Sequence, residues 1–432
     1  METAGCVRWG IDMTEAAIPT LVLIAAAAVL APIISEQTRG LRVPSVVIEL
    51  GLGILIGPYV LKLAHPNDVV SALSDMGLTF LMFLAGFELD LNRIKGSPLR
   101  LAALGWLMSL ALALGLAFAL VSTGLALDTL IIGLSLTTTA LGTLLPVLSD
   151  AGVLTTSFGP YILGIGSVGE FGPIVVVAIL LTHKDPVASS VLLVSFVAIA
   201  AATALLATRA HPPRVVALLR RHLDSSAQLP VRVAVLLVFV LVYLAFELGL
   251  DVLLGAFAAG IVVRLLTVGP DSKAIESKLS AIGFGFFIPI FFIVSGIHFD
   301  VHVFISRPSA LLRLPLFLAL MLVVRGAPAL LLYRRELRDV ERVPLALFSA
   351  TGLPLIVVIT TIGTSEGRIL PENAAALVGA GMLSVLLFPT IGLRRLRAAT
   401  GPRSRADVSE SETEVEPQPP HDDAGTSTGT DA

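Results

Sequence analysis

The sequence predicts an all-α polytopic membrane protein with about thirteen transmembrane helices, an inverted-topology repeat and two crossed discontinuous helices. Composition indicates the class, because 55% of the 432 residues are hydrophobic, 14% are charged and the mean hydropathy is +0.91. An internal repeat and two segments interrupted by Gly and Pro indicate the topology. This composition excludes a soluble enzyme.

Thirteen apolar segments can be counted along the chain, and about 20 helical residues are enough to span the hydrocarbon core of a bilayer. The segments lie near residues 18–35, 44–61, 70–91, 100–122, 129–149, 157–182, 187–208, 231–249, 251–268, 279–298, 309–332, 344–364 and 373–393. We expect a transmembrane domain over 18–398, after an extracytoplasmic segment, 1–17. The remainder, 399–432, is polar without apolar periodicity, which predicts a disordered cytoplasmic tail.

The internal repeat relates the third segment to the tenth. FLMFLAGFELDL (80–91) can be laid on IFFIVSGIHFDV (290–301), so that Gly86 matches Gly296 and Asp90 matches Asp300 at a constant separation of 210 residues. Seven crossings separate the two segments, and an odd number makes the copies antiparallel. This is the inverted-topology repeat of secondary transporters. The alternative is a chance match between two apolar runs rich in Gly and Phe.

Basic residues in the short loops predict the orientation. With the amino terminus outside, the inward segments hold 22 Lys and Arg and the outward segments hold 6. Cytoplasmic loops carry the excess of Lys and Arg. We therefore expect a multi-pass protein of the plasma membrane with its amino terminus outside and its carboxyl terminus in the cytoplasm.

The fifth and twelfth segments are predicted to be broken helices. The fifth reads SLTTTALGTLLP (135–146), with Gly142 and Pro146 after a hydroxyl run, and the twelfth contains Gly352-Leu353-Pro354. Proline removes a backbone donor and clashes with the preceding turn. Unwound backbone at bilayer depth survives only when it lines a cavity or is buried in protein. Two breaks that cross at mid-membrane would direct half-helix dipoles and free carbonyl groups at one point.

Glu170 lies near the middle of the sixth segment, in a Gly-rich and otherwise apolar context. A charge at that depth costs at least ~2.5–3.5 kcal/mol on insertion scales, so it is rarely present without a partner or a function. A carboxylate that holds either a proton or a cation is what an exchanger needs. The alternative is a Glu that pairs with a neighbouring helix and serves assembly only.

The three consecutive threonines before the first break, Thr137, Thr138 and Thr139, offer hydroxyl oxygens to a hard monovalent cation beside that carboxylate. The alternative is that they bond to carbonyl groups of their own helix or pack against small residues.

Other polar residues within the segments are assigned supporting roles. Glu88 and Asp90 end the third segment near the interface, where solvated structural roles are expected. Glu49 and Arg325 lie towards the cytoplasmic half of their segments, which predicts an ion pair that holds the scaffold. Either Glu88 or Glu49 would supply a second proton if the helices brought it near Glu170.

The sequence lacks the motifs of nucleotide-binding, metal-binding and catalytic sites. The sequence has neither a Walker A sequence nor a Gly-rich dinucleotide motif after a strand pattern, and its His residues lack metal-ligand spacing. No Ser/His/Asp set is indicated. We therefore expect no enzymatic activity, no cofactor, no bound metal and no nucleic-acid partner.

In their order and spacing, the motifs resemble the second monovalent cation:proton antiporter family of the sodium/proton exchanger superfamily, close to its Kef-type members. The matching stretches are PSVVIELGLGILIGP (44–58), FLAGFELDL (83–91), SLTTTALGTLLPVL (135–148), LGAFAAGIVV (254–263), PIFFIVSGIHFD (289–300) and GLPLIVVITTIG (352–363). The resemblance implies a homodimer with an interface domain and a mobile six-helix core that carries two crossed, broken helices.

The resemblance also implies roles for particular residues. The family's essential acid falls on Glu170 and its hydroxyl run on Thr137, Thr138 and Thr139. The polar residue that usually precedes the acid is replaced by Gly169. The Lys that some electrogenic relatives carry in the tenth crossing has no counterpart here, so a single carboxylate predicts electroneutral exchange.

The sequence thus predicts a secondary antiporter in membrane lipid that exchanges Na⁺ or K⁺ for H⁺ by alternating access. Two alternatives remain open. One is an organic-anion carrier of the same inverted-repeat architecture, and the other is a non-transporting membrane sensor or scaffold.

Truncation after Ala399 tests the prediction for the tail. We expect cation-coupled proton flux to be unchanged, because the tail has too little apolar content to pack on the membrane domain. The measurement is the flux of the full-length and truncated proteins in proteoliposomes at equal protein density. Lost flux at normal expression would show that the tail regulates transport.

Overall fold

The computed structural model describes residues 11–37, 43–65, 67–88, 94–180, 228–267 and 272–399, together with positions 194, 195 and 198. All regular elements in these ranges are helical. The first seven α-helices are α1 (Ile11–Gln37), α2 (Ser45–Ile56), α3 (Asp68–Glu88), α4 (Ser97–Ser122), α5 (Thr129–Leu136), α6 (Leu141–Asp150) and α7 (Gly159–Leu180). The others are α8 (Leu229–Glu247), α9 (Val252–Leu266), α10 (Ser272–Ile282), α11 (Ile288–Ile297), α12 (His302–Ser306), α13 (Ser309–Leu332), α14 (Asp339–Ser349), α15 (Pro354–Ser365) and α16 (Pro371–Ala399).

Twelve of the thirteen predicted segments coincide with these helices. Nine helical stretches in the described ranges are long and apolar enough to cross a membrane, and three shorter apolar ones accompany them, Ser45–Ile56, Thr129–Leu145 and Val252–Leu266. A π-helical turn, Gly283–Phe287, joins α10 to α11 into one long stretch. The predicted segment 187–208 lies largely outside the described residues, as do Asp90, residues 1–10 and the tail from residue 400.

The fifth and twelfth segments are discontinuous, as predicted, and their breaks cross. The first break separates α5 from α6 and the second separates α14 from α15. The backbone N–H of Ala140 donates to the carbonyl oxygen of Thr351 at 2.7 Å, and the Thr139 hydroxyl donates to the carbonyl oxygen of Ser349 at 2.6 Å. The interrupted backbones therefore satisfy each other's polar groups inside the protein.

The position of the first break differs from the prediction. The sequence placed it at Gly142 and Pro146, but Pro146 lies inside α6 and the helix is interrupted over residues 137–140. An interior proline removes one hydrogen bond and clashes with the preceding turn, which kinks or breaks a helix, but α6 continues past Pro146 to Asp150. The helix is interrupted where the N–H groups of Thr139 and Ala140 find acceptors on other segments. In the twelfth segment Pro354 is the first residue of α15, where a proline is tolerated.

Two close helix crossings repeat the same contacts in the two halves of the chain. A Cβ atom on Gly86 of α3 would collide with the backbone oxygen of Phe257 of α9. In the same way, a Cβ atom on Gly296 of α11 would collide with the backbone oxygen of Leu50 of α2. Each crossing has a second glycine in the same kind of contact. A Cβ atom on Gly260 would collide with the Phe83 carbonyl oxygen, and a Cβ atom on Gly53 would collide with the Ile293 carbonyl oxygen.

These contacts confirm the inverted repeat in three dimensions. Matching positions are 210 residues apart on α3 and α11 and 207 residues apart on α2 and α9. A chance match of apolar runs would not reproduce the same glycine-to-carbonyl approach at both crossings.

The helices form two groups. We call α1–α3 and α8–α11 the scaffold helices, because the glycine crossings lock them together, and α4–α7 with α13–α16 the core helices, which pack around the crossed breaks. Contacts within each group are far more extensive than those between the groups, which involve mainly α3, α9 and α2 on the scaffold side.

Alanine at Gly86 tests the close crossing. We expect Gly86→Ala to lower the stability by about 1–3 kcal/mol, because its Cβ must push two backbones apart in a packed interface. Gly296→Ala should cost a similar amount, since the repeat places it in the same contact. The measurement is the thermal unfolding midpoint of the purified protein. The control is Gly115→Ala on α4, where a Cβ has open space, and equal midpoints for Gly86→Ala and Gly115→Ala would contradict the prediction.

Candidate ion-binding site

Glu170 is buried in the core group at the point where the broken helices cross. It lies on α7, its side chain is only 4% exposed, and its carboxyl group interacts electrostatically with the backbone N–H of Leu141. Leu141 is the first residue of α6. The free N–H groups and the dipole at a helix amino terminus favour a negative charge. The half-helix α6 therefore orients the Glu170 carboxyl group and stabilises its ionised form.

The residue before Glu170 is fixed to the first break. The backbone N–H of Thr139 donates to the carbonyl oxygen of Gly169 at 3.0 Å. A Cβ atom on Gly169 would collide with the Thr139 hydroxyl and with Nη2 of Arg325. Gly169 stands where the family resemblance implies a polar residue. The close packing of α7 on the crossing requires a residue without a side chain at this position.

Arg325 of α13 is 1% exposed and holds this crossing together. Its Nε and Nη2 atoms donate to the Thr139 hydroxyl at 3.1 and 2.8 Å. Nε also donates to the Ser349 carbonyl at 3.2 Å, and Nη2 to the Ile165 carbonyl at 3.1 Å. Nη1 donates to the Ser109 hydroxyl at 3.4 Å. One guanidinium group therefore links α13 to α4, to α7 and to both discontinuous helices.

The expected ion pair between Glu49 and Arg325 is wrong. Arg325 lies in the core group and bonds to hydroxyl and carbonyl oxygens, whereas Glu49 lies on scaffold helix α2. Glu49 is 4% exposed, and its Oε2 atom has no hydrogen-bond partner in the described part of the chain. Hydropathy indicates how deep two residues lie along their helices, and it does not indicate whether the helices are neighbours.

The three threonines have different surroundings. Thr139 donates to Ser349 and accepts twice from Arg325, which uses its donor and both of its lone pairs. The hydroxyl groups of Thr137 and Thr138 donate to the carbonyl groups of Leu134 and Ser135, at 2.8 and 3.0 Å. These local bonds follow the alternative considered for the threonines, but they occupy only the hydroxyl protons. Thr138 and Thr137 remain suitable as cation ligands, and Thr139 does not.

A cavity of about 830 Å³ lies between the core and scaffold groups and leads towards Glu170. Its core wall includes Gly142 of α6 and Ser167 of α7, each within one helical turn of the Glu170 site. Its scaffold wall includes Glu88, and the charges of Glu88 and Glu170 interact. Of the two supporting carboxylates predicted from the sequence, Glu88 is thus brought to the site.

The structure also adds residues that sequence reasoning missed. Ser109 and Ser349 form hydrogen bonds with Arg325, and the backbone N–H of Leu141 interacts electrostatically with Glu170. A serine in an apolar helix and a backbone group carry no sequence signal of their own. The closest available signal was the buried Arg, which at bilayer depth requires acceptors on several neighbouring helices.

Valine at Thr139 tests the role of its hydroxyl group. We expect Thr139→Val to lower the stability by about 2–3 kcal/mol, because two hydrogen bonds to a buried cation are lost at nearly constant shape. The matched control is Thr143→Val on α6, whose hydroxyl bonds only to the Ala140 carbonyl three residues earlier. The measurement is the thermal unfolding midpoint of both variants. If Thr139→Val unfolds no earlier than Thr143→Val, the hydroxyl does not hold Arg325 in place.

Comparison with known proteins agrees with this architecture. A family model described as the transmembrane sodium/hydrogen exchanger matches residues 25–393. The Bacillus subtilis (strain 168) protein YjbQ is 26% identical over 87% of the chain, and the chain spans 63% of the length of that relative. A Na⁺/H⁺ antiporter of Enterococcus hirae is 27% identical over 83% of the chain and 93% of its own length.

A solved structure has the same fold. The sodium proton antiporter MjNhaP1 from Methanocaldococcus jannaschii is 18% identical and superposes with a TM-score of 0.62, over 89% of this chain and 98% of its own. The Kef-type subgroup stays a prediction. With a matching family model over most of its length, the chain belongs to the sodium/hydrogen exchanger family of transmembrane proteins.

Proposed function

We propose that this protein is a secondary antiporter that exchanges a monovalent cation, Na⁺ or K⁺, for H⁺ across the plasma membrane by alternating access. The observation that carries the proposal is the Glu170 carboxyl group, buried at the amino terminus of half-helix α6 where two discontinuous helices cross. Family membership supports it, as does the name of the Enterococcus hirae relative, a Na⁺/H⁺ antiporter.

The proposed chemistry depends on the single buried carboxyl group of Glu170. When this group is ionised, its charge must be neutralised by a bound cation. When ionised, Glu170 binds a cation, and the hydroxyl oxygens of Thr138 and Thr137 supply further hard ligands. When the cation leaves, a proton replaces it. An unloaded carboxylate is costly to bury, so the empty site crosses the membrane rarely and the two ions compete for one carrier.

Movement between two accessible states is supported by the division into two groups of helices. The core group is tied together by the Arg325 network, which links four of its segments to α13. Contacts between core and scaffold are few compared with those inside each group. Such an arrangement favours a rigid core that shifts against the scaffold and carries Glu170 from one side to the other.

The surroundings of Glu170 favour a cation over an organic anion. The half-helix terminus that an anionic substrate would need is already occupied by the Glu170 carboxyl group. The second charge that acts on the site, Glu88, is also negative. A role in assembly only is disfavoured as well, because within the described residues Glu170 interacts with a backbone N–H and another carboxylate rather than with a cationic side chain.

Orientation, lipid contact and assembly complete the proposal. With the tail in the cytoplasm, the rim of the cavity at Lys273 faces the cytoplasm and the arrangement is inward-facing. Exposed apolar side chains suited to lipid cover the outer helices, including Phe118 at 65% and Phe246 at 66% exposure. The homodimer implied by the family resemblance is proposed on that ground alone.

Glu170→Gln tests the site. We expect it to reduce cation-coupled proton flux by at least about 100-fold, because glutamine keeps the shape and loses the charge that binds both ions. Glu170→Asp should retain partial flux. The measurement is dye-reported proton flux in proteoliposomes after pulses of Na⁺, K⁺ or an organic anion.

The outcomes separate the candidate functions. Wild-type flux in folded Glu170→Gln would remove Glu170 from the mechanism. Proton flux that responds only to anions in the native protein would support the anion carrier, and no flux with any ion would support the non-transporting scaffold.

A further inference from the structure

The cavity has a negatively charged side chain, Glu88, on its scaffold wall, and Glu170 lies about one helical turn beyond its core wall. Glu88 is the last residue of scaffold helix α3, and it lines the cavity together with Arg264 of α9 and Glu276 of α10. The opposite wall is formed by α6 and α7 of the core. A cation in the cavity therefore lies between the moving and the fixed parts of the protein.

The wall residues of α7 define a direct route to Glu170. Leu163 and Ser167 line the cavity, and they are four residues apart on the helix. Glu170 follows three residues later, which places it on the same face about one turn deeper. On α6, Gly142 lines the cavity, and the backbone N–H of its neighbour Leu141 interacts electrostatically with the Glu170 carboxyl group. The cavity thus comes to within about one helical turn of Glu170.

Glu88 and Glu170 are close enough for their charges to interact, since the charge of Glu88 acts on Glu170. Two carboxylates in a region of low dielectric repel each other when both are ionised. A cation or a proton between them removes that repulsion. The pair therefore binds one positive charge more strongly than either carboxylate would alone.

The local structure around Glu88 adds to this preference. A helix carboxyl terminus carries a partial negative charge, and the last turn of α3 contains no basic residue. The cationic group whose charge acts on Glu88 is Arg264. Arg264 also forms an ion pair with Glu276 at 3.5 Å and lies over the Phe87 ring. One Arg thus interacts with two carboxylates, so Glu88 shares this guanidinium group with Glu276, and Lys273 is the second basic residue of the cavity wall.

We propose that Glu88 is a second cation-binding carboxylate of this transporter, which receives the cation from the cavity and passes it to Glu170. The inference rests on the proposed exchange function and extends it to the scaffold. Because Glu88 belongs to the scaffold and Glu170 to the core, the pair exists only while the core is positioned towards this side. Movement of the core separates the two carboxylates, so the cation stays with Glu170.

Glu88→Gln in the full-length protein tests the inference, with Na⁺ as the probe and K⁺ in parallel. We expect the apparent KM for Na⁺ in proteoliposome flux to rise about tenfold, while the maximal rate stays within about twofold. The Na⁺ concentration needed to raise the thermal unfolding midpoint should increase by a similar factor. Glu88→Asp, which keeps the charge, should stay close to the native KM.

The unfolding midpoint without Na⁺ or K⁺ distinguishes ion binding from a structural role. If Glu88 binds the cation, Glu88→Gln removes a repulsion, and the midpoint should be equal to or above that of the native protein. A lower midpoint, or a variant that fails to fold, would assign Glu88 to holding Arg264 and overturn the inference.

The matched control is Glu276→Gln, which removes the other carboxylate beside Arg264. We expect its KM for Na⁺ to rise clearly less than that of Glu88→Gln, because Glu276 does not act on Glu170 and influences Glu88 only by its own charge and through the shared Arg264. Equal KM values for Glu88→Gln and the native protein would overturn the inference while leaving the proposed function intact. Absence of cation-dependent flux in the native protein would instead overturn the proposed function.

Discussion

The buried guanidinium group of Arg325 is the interaction on which the rest of the core depends. Leaving a charge uncompensated inside the protein costs several kcal/mol, so its donors must all be met by good acceptors. Here they are met by the Thr139 hydroxyl, two carbonyl groups and the Ser109 hydroxyl, which belong to four different segments. These segments cannot move apart without breaking hydrogen bonds to a buried cation. The network therefore makes the crossing, and the α7 backbone beside it, a single rigid unit.

This rigidity explains how an interrupted backbone is tolerated at bilayer depth. The N–H groups of Thr139 and Ala140 bond to Gly169 and Thr351, so the break is satisfied by neighbouring segments rather than by water. The same bonds place the amino terminus of α6 against Glu170. The positive end of a half-helix, rather than a cationic side chain, is what accompanies the carboxylate. A fixed cationic partner would compete with the transported ion, and a helix dipole leaves room for it.

The scaffold helices are held together by close backbone contacts at glycines rather than by a buried charge. Glycines let α3 meet α9, and α2 meet α11, with backbone against backbone, and both crossings repeat the same contacts. Such interfaces cannot adjust continuously, because any added atom separates the helices. The cavity lies where these two rigid groups face each other. Glu88 lines its scaffold wall, and Glu170 lies about one helical turn beyond Ser167 of its core wall. The electroneutral exchange expected from a single carboxylate therefore has to be reconsidered with two.

The amino-acid sequence was sufficient to predict the membrane class, the approximate spans, the inverted repeat and the existence of two broken helices, and it singles out Glu170 as the candidate ion-binding acid. All of these follow from hydropathy, spacing and the cost of a charge at a given depth, which are properties of position along one helix. Tertiary structure decided where the first helix breaks, which threonine is saturated, and that Arg325 holds the crossing while Glu49 lies on a different group of helices. It also brought Glu88 to the cavity wall facing Glu170. These features depend on which helices are lateral neighbours, and a one-dimensional pattern of depth contains no information about that.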